Sequence, residues 1–336
     1  MSGVPGGNAG LLARRLLGDR SVAVILPSGL TSAVETWVWP LEELAPATGE
    51  EYARVEVEVS RERAAPPPLS PPTFDARYVA AWIDPRGGRA VLHSADGSVA
   101  ARLDLHALRA RVRVVVGSGA TERNVALAAT LRVATALLLA AQGRALFHAS
   151  AVVDGDGRAW LFAGDSHAGK TTTALTLVGA GFDYIADDQL VVYEEAGELR
   201  AAGWPRKVTL DRGYRDGVSR GIRAAADPRE FAVGARIGSA PIGGLVFPRV
   251  EPGKATVRSR LGPPDALARL IRHSPWLLAS RGTAGALLGR LRRLAELPAF
   301  GLRLGSDVYA RPAALLPHLP GAWMRATVLD DPTPPA

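Results

Sequence analysis

Ala159-Trp-Leu-Phe-Ala163 runs into Gly164-Asp165-Ser166-His167-Ala168-Gly169-Lys170-Thr171, and Thr172-Thr-Ala-Leu-Thr-Leu-Val178 runs out of it. The apolar run before the glycines reads as a buried strand and the run after them as a helix. The eight residues between fit G-x-x-x-x-G-K-[ST], a phosphate-binding loop, and the strand–loop–helix order is the context that pattern requires. The glycines let the backbone bend so that successive N–H groups point at phosphate oxygens. The start of the helix brings its positive dipole end to the same place. Gly164 through Thr172 are therefore the expected nucleotide-binding residues, with Lys170 on the outer phosphates and Thr171 on a magnesium ion. Of 40 Lys+Arg, lysine stands only at 170, 207 and 254. A chain that uses arginine almost everywhere has kept lysine where a compact ammonium is wanted.

A length of 336 residues suits one large or two ordinary domains, and a hydrophobic share of 47% can fill a sizeable core. There is no cysteine, which excludes disulfides, thiolate metal sites and cysteine nucleophiles and fits a reducing, cytoplasmic setting. Met1 to Asn8 is small and polar, with no basic segment ahead of an apolar one, so no signal peptide is read. Val133 to Ala141, the longest nearly apolar run, is too short to span a bilayer, and no membrane partner is expected. The formal charge of +7 and a pI near 10.2 point to anions such as a nucleotide, a phosphate or an acidic peptide. The arginines between Arg200 and Arg293 lack regular aromatic interleaving or a nucleic-acid motif, so nucleic acid is not the expected partner.

Residues 1–120 read as a smaller α+β region. Leu11 to Leu17 reads as a short helix and Val22 to Leu26 as a strand. Pro66-Pro67-Pro68 and Pro71-Pro72 read as a stiff connector. Tyr78–Ile83, Ala90–His93, Val99–Leu105 and Val112–Val116 then read as a small antiparallel sheet, with turns at Gly87-Gly88 and Asp96-Gly97. Over 122–142, Leu127, Leu131, Ala134 and Leu138 recur at helical spacing, and Gly143 stops the helix. Residues 121–330 read as a P-loop α/β domain. Helices are expected at Asp265–Arg272 and Ala284–Glu296, and a late strand at Phe300–Leu304.

Leu146 to Val153 reads as a strand, Asp154-Gly155-Asp156-Gly157 as a turn, and Arg158 to Ala163 as the returning strand. A four-residue turn puts position 148 opposite 163, so His148 is expected beside the mouth of the loop. Seventeen residues after Lys170, the strand-like Tyr184-Ile185-Ala186 ends in Asp187-Asp188. Adjacent carboxylates on an extended chain point to opposite sides, so one can face a metal and the other a substrate. Arg206, Lys207, Arg212 and Arg215 follow, and a phosphate-transfer site needs such cations.

His148-Ala-Ser-Ala-Val, the loop Gly164–Thr171 and Ala186-Asp187-Asp188 resemble, in order and spacing, the catalytic domain of HPr kinase/phosphorylase and its kinase-like relatives. The resemblance covers about residues 145–260. It implies a P-loop fold related to phosphoenolpyruvate carboxykinase. It also implies ATP- and Mg²⁺-dependent phosphoryl transfer to a serine-type hydroxyl of a peptide or protein, and a homo-oligomer. It makes Asp187, Asp188, His148 and Lys170 the catalytic group, one aspartate acting as base and the other helping to hold the metal. The expected metal ligands are Thr171 and Asp188. His167 stands where relatives usually carry glycine, and Leu210-Asp211-Arg212-Gly213 is a shortened form of the family's later Glu-x-Arg-Gly signature. Trp204-Pro205-Arg206-Lys207 and Pro241-Ile-Gly-Gly-Leu-Val-Phe resemble the broader relatives, some of which phosphorylate precursor peptides. A kinase for a small molecule such as free serine and a non-catalytic nucleotide-binding adaptor are the alternatives.

Overall fold

The computed structural model describes residues 10–17, 20–27, 30, 53–62, 65–76, 78–84, 86–115, 120–204, 208–211, 223–226, 238–274, 281–310 and 312–318. It is a mixed α/β structure. Two compact units divide it, Met1–Leu146 with Ser274–Arg290, and Phe147–His273 with Leu291–Ala336. The sequence suggested a boundary at residue 120; compactness puts it after Leu146.

The first unit holds β1 (Gly10–Leu17), β2 (Arg20–Leu26), β3 (Ala53–Ser60), β4 (Phe74–Ala76), β5 (Val79–Ile83), β6 (Arg89–Ser94), β7 (Val99–Asp104), β8 (Arg109–Val115) and α1 (Ala120–Ala141). The sheet order is β1-β2-β3-β8-β7-β6-β5-β4. Alternation along β5 to β8 sends Ala81, Leu92, Ala101, Leu103, Val112 and Val114 inward. The helix α1 covers that face with Leu127, Leu131, Ala134 and Leu138, the four positions its periodicity marked, all fully buried. This packing is why α1 falls with the first unit. Its Asn124–Ala141 portion is long and apolar enough to cross a membrane by length and composition, and 67% of it is buried within the protein.

Two expectations are corrected here. Leu11–Leu17 is not a helix but lies within β1, paired antiparallel with β2 from Leu17↔Arg20 back to Gly10↔Leu26. A seven-residue run is too short to hold a helix without tertiary packing, and a neighbouring strand satisfies the same backbone groups. The four strands expected to form an antiparallel sheet do so as β5–β8, but the sheet is larger than expected, because β3 adds to β8 in parallel and β2 to β3 in parallel. Parallel pairs need long connections, which leave no turn signature in a sequence.

The second unit holds β10 (Ala149–Val153), β11 (Ala159–Ala163), α2 (Lys170–Gly179), β12 (Asp183–Ala186), β13 (Leu190–Glu195), β14 (Glu198–Gly203), β15 (Val208–Asp211), β16 (Arg223–Ala226), β17 (Ser239–Val250), β18 (Val257–Leu261), α3 (Pro263–Arg272), β19 (Ala299–Leu304) and α5 (Ser306–Ala310), while β9 (Ala145–Phe147) and α4 (Arg281–Ala295) cross the division between the units at Leu146 and Arg290. Its sheet runs β12-β10-β11-β17. The long β17 also pairs in parallel with β19 and antiparallel with β14, so it joins two sheet directions. Helix α2 packs on β10, β11 and β12, where Ala174, Leu177 and Val178 meet Val152, Trp160, Phe162 and Tyr184 in one core.

The β10–β11 register differs from the expectation by one residue. Ala149, not His148, pairs with Ala163, and Val153 pairs with Ala159. The turn is closed by Asp154 N–H to Arg158 C=O at 3.0 Å, leaving a three-residue loop with Gly157 at φ 75°. That is the hairpin type in which a left-handed residue ends the turn. The Asp154 carboxylate fixes it by accepting from the N–H groups of Asp156 and Arg158 at 3.0 Å and from Trp160 Nε1 at 2.8 Å. Asp154 is 5% exposed. Asp154→Ala strands a buried indole N–H and two backbone N–H groups, and is expected to cost about 3 kcal/mol, read as a lowered urea midpoint. A loss below about 1 kcal/mol would show that the turn forms without this cap.

Candidate functional site

The strand β11 ends at Ala163 and α2 begins at Lys170, so the eight-residue loop is held at both ends by core elements. Gly169 caps the helix at φ 95°, and His167 sits at φ 64°. Both are left-handed, a conformation that favours glycine; histidine, at 167, is among the few other residues that tolerate it. Gly164 is tightly packed, since a Cβ there would lie 3.1 Å from Ala168 Cβ and 3.3 Å from the Pro248 carbonyl of β17. Ala168 N–H closes a turn on the Asp165 carbonyl at 3.2 Å. Ser166 and Thr172 are exposed, on the loop and on the first turn of α2.

Lys170 is only 6% exposed. Its Nζ donates to the carbonyls of Gly164 and Asp165, both at 2.9 Å. The ammonium is thus folded back into the cradle. Burial pulls its pKa below the ordinary value, while Asp188, Asp187 and Asp165 oppose that pull. The lysine therefore has a strong electrostatic interest in an arriving anion.

The two aspartates lie just past the end of β12. The buried Asp187, 3% exposed, accepts through Oδ1 from Ser150 Oγ at 2.5 Å and from Thr171 Oγ1 at 2.9 Å. Asp188 has φ 66° and stands at the centre of a three-residue turn closed by Gln189 N–H to Asp187 C=O at 2.8 Å. This left-handed kink, rather than simple strand alternation, separates the two carboxylates, and such backbone is concentrated at functional positions. Asp188 Oδ1 lies 2.7 Å from His148 Nε2, with both side chains partly exposed. His148 occupies the break between β9 and β10. Gly203 of β14 lies against Ile185 of β12, where a Cβ would collide with the Ile185 carbonyl.

The structure therefore brings together Lys170, Thr171, Asp187, Asp188 and His148, as the sequence pattern suggested. The sequence reading groups Thr171 with Asp188; in the structure the hydroxyl of Thr171 bonds Asp187, while Asp188 is paired with His148. Three residues were not foreseen. Ser150 of β10 follows His148 by two positions, a spacing that could have revealed it. Arg272 and His273 arrive from the end of α3, about a hundred residues away, and no local signal announces them. Arg272 Nη2 donates to Asp165 Oδ2 at 3.0 Å, and His273 Nδ1 lies 3.7 Å from Asp165 Oδ1. Burial lowers the His273 pKa; Asp165 opposes this, whereas Arg272, Lys170 and His148 reinforce it. Arg206, Lys207, Arg212 and Arg215 lie outside the described residues.

Among the described residues, no three or more His, Cys, Asp or Glu side chains form a metal cage. The site offers instead a hydroxyl from Thr171 and, past the end of β12, a carboxylate from Asp187. Two hard oxygen donors suit Mg²⁺, which binds few protein groups and keeps waters and substrate phosphates.

No family model and no curated protein matches the chain. Among solved structures, the HPr(Ser) kinase/phosphatase from Coxiella burnetii is similar at 13% identity and a TM-score of 0.29, over 52% of this chain and 91% of that chain. The local geometry carries the functional reading.

Proposed function

We propose that the protein transfers the γ-phosphoryl group of ATP to a serine-type hydroxyl of a peptide or protein. The observation that supports this most is the meeting of two pairs at one lysine: Thr171 with Asp187, and His148 with Asp188. The loop N–H groups and Lys170 bind the phosphates. Thr171 and Asp187 are the residues that would hold Mg²⁺. When bound, the ion neutralises phosphate charge. Asp188, oriented by His148 and open to solvent, takes the proton of the acceptor hydroxyl. That oxygen forms a bond to the γ-phosphorus, the bond from phosphorus to the bridging oxygen breaks, and ADP leaves.

Labelled ATP tests the reading. With Mg²⁺ and serine-containing peptides, the purified protein is expected to move the γ-label to peptide. Free serine and other small alcohols are expected to stay unlabelled. Labelling of small alcohols alone would overturn the peptide acceptor. Transfer that survives replacement of both Asp187 and Asp188 by asparagine would overturn the mechanism.

A further inference from the structure

The phosphate loop carries a charge that works against its task. Asp165 is the second residue of the loop, and its carboxylate is 62% exposed at the loop surface. With Asp187 and Asp188 it makes three carboxylates around Lys170. A triphosphate arriving there meets more negative charge than one ammonium offsets, and a transferring phosphoryl group needs cations on its equatorial oxygens.

Arg272 stands where it meets that need. Its backbone is fixed, because it ends α3, whose Ala266 and Leu270 are buried. A cation there is also favoured by the helix dipole. Its side chain is 71% exposed and reaches the loop through Asp165. An exposed pair of this kind contributes little, so the guanidinium can change partners at little cost. A guanidinium carries five N–H donors in a planar fork suited to phosphate, and the bond to Asp165 is made by Nη2.

We propose that Arg272 is a further catalytic residue, resting on Asp165 until nucleotide binds and then donating to the oxygens of the transferring phosphoryl group. The assignment rests on the phosphoryl-transfer reading above. Asp165 is the rest that aims the fork, which accounts for an acidic residue inside an anion-binding loop. His273, its side chain only 13% exposed, stands beside it.

Calorimetric titration with ADP alone, and with ADP plus aluminium fluoride and Mg²⁺, separates the contributions, because aluminium fluoride mimics the phosphoryl group in flight. Arg272→Ala is expected to weaken the aluminium fluoride complex about 10²-fold while ADP affinity stays within about threefold. Arg272→Lys, which keeps the charge but not the fork, is expected to recover only part of the loss. Equal binding of the aluminium fluoride complex by Arg272→Ala and the wild type would overturn the proposal. So would a parallel loss of ADP affinity and thermal stability, which would make Arg272 a structural support. Wild-type protein that binds neither ligand would instead overturn the nucleotide reading and the assignment with it.

Discussion

Lys170→Met should abolish phosphoryl transfer, by about 10³-fold or more, while leaving the protein folded. The argument starts from what the lysine does before any ligand arrives. Its ammonium sits 6% exposed, satisfied by two loop carbonyls. Hydrogen bonds to a charged group contribute about 1.5–3 kcal/mol, but burying the charge costs a comparable amount, so a methionine of similar length is close to neutral for stability. Nothing comparable compensates the loss of function, since a thioether gives the β- and γ-phosphates no charge. The variant also carries a sign test. Burial lowers the folded-state pKa of Lys170 from its ordinary 10.5, so the unfolded chain holds this proton more tightly. Its contribution to stability then rises with pH in the window below 10.5. Lys170→Met should flatten that rise in urea titrations at increasing pH. Transfer within about tenfold of wild type would show that the loop is not the phosphoryl cradle.

The loop was legible because its flanks announce themselves. An all-apolar strand of five residues and a helix starting on Lys-Thr-Thr leave little else for Gly164–Gly169 to be. The aspartates were legible for a related reason: Asp187 and Asp188 end a short apolar strand, and two carboxylates past a buried strand need partners. What the sequence did not carry was the arrangement between them. The hairpin register depends on how Asp154 caps its own turn, which moved the pairing by one residue and placed His148 in a break rather than in a strand. The separation of the carboxylates depends on the left-handed backbone at Asp188, which no spacing rule encodes. Arg272 and Asp165 meet because α3 packs against β19, and a contact over a hundred residues of chain leaves no periodic trace. In the first unit, helical spacing over residues 122–142 was decisive, whereas seven residues at 11–17 could not be assigned without their neighbour β2.

Asp188→Asn should slow transfer by about 10²–10⁴-fold with nucleotide affinity nearly unchanged. Asparagine is almost the same size, tolerates the left-handed backbone that position 188 requires, and can still accept a hydrogen bond from His148 through its amide oxygen. It cannot take a proton from an acceptor hydroxyl. The loss should therefore appear in kcat, with the dissociation constant for Mg·ATP held. Asp187→Asn should give the opposite split. That carboxylate is buried under Ser150 and Thr171, and its charge is the part a divalent ion would use. Its removal should first weaken Mg²⁺-dependent nucleotide binding, by about tenfold or more, and only then the rate. On the proposed mechanism, His148→Ala should fall between wild type and Asp188→Asn, because there the imidazole orients the base without itself receiving the proton. The decisive quantity is the contrast between the neighbours. If the two asparagine variants lose rate and affinity in the same proportion, Asp187 and Asp188 act as one undivided metal site, and the acceptor proton must leave by another group.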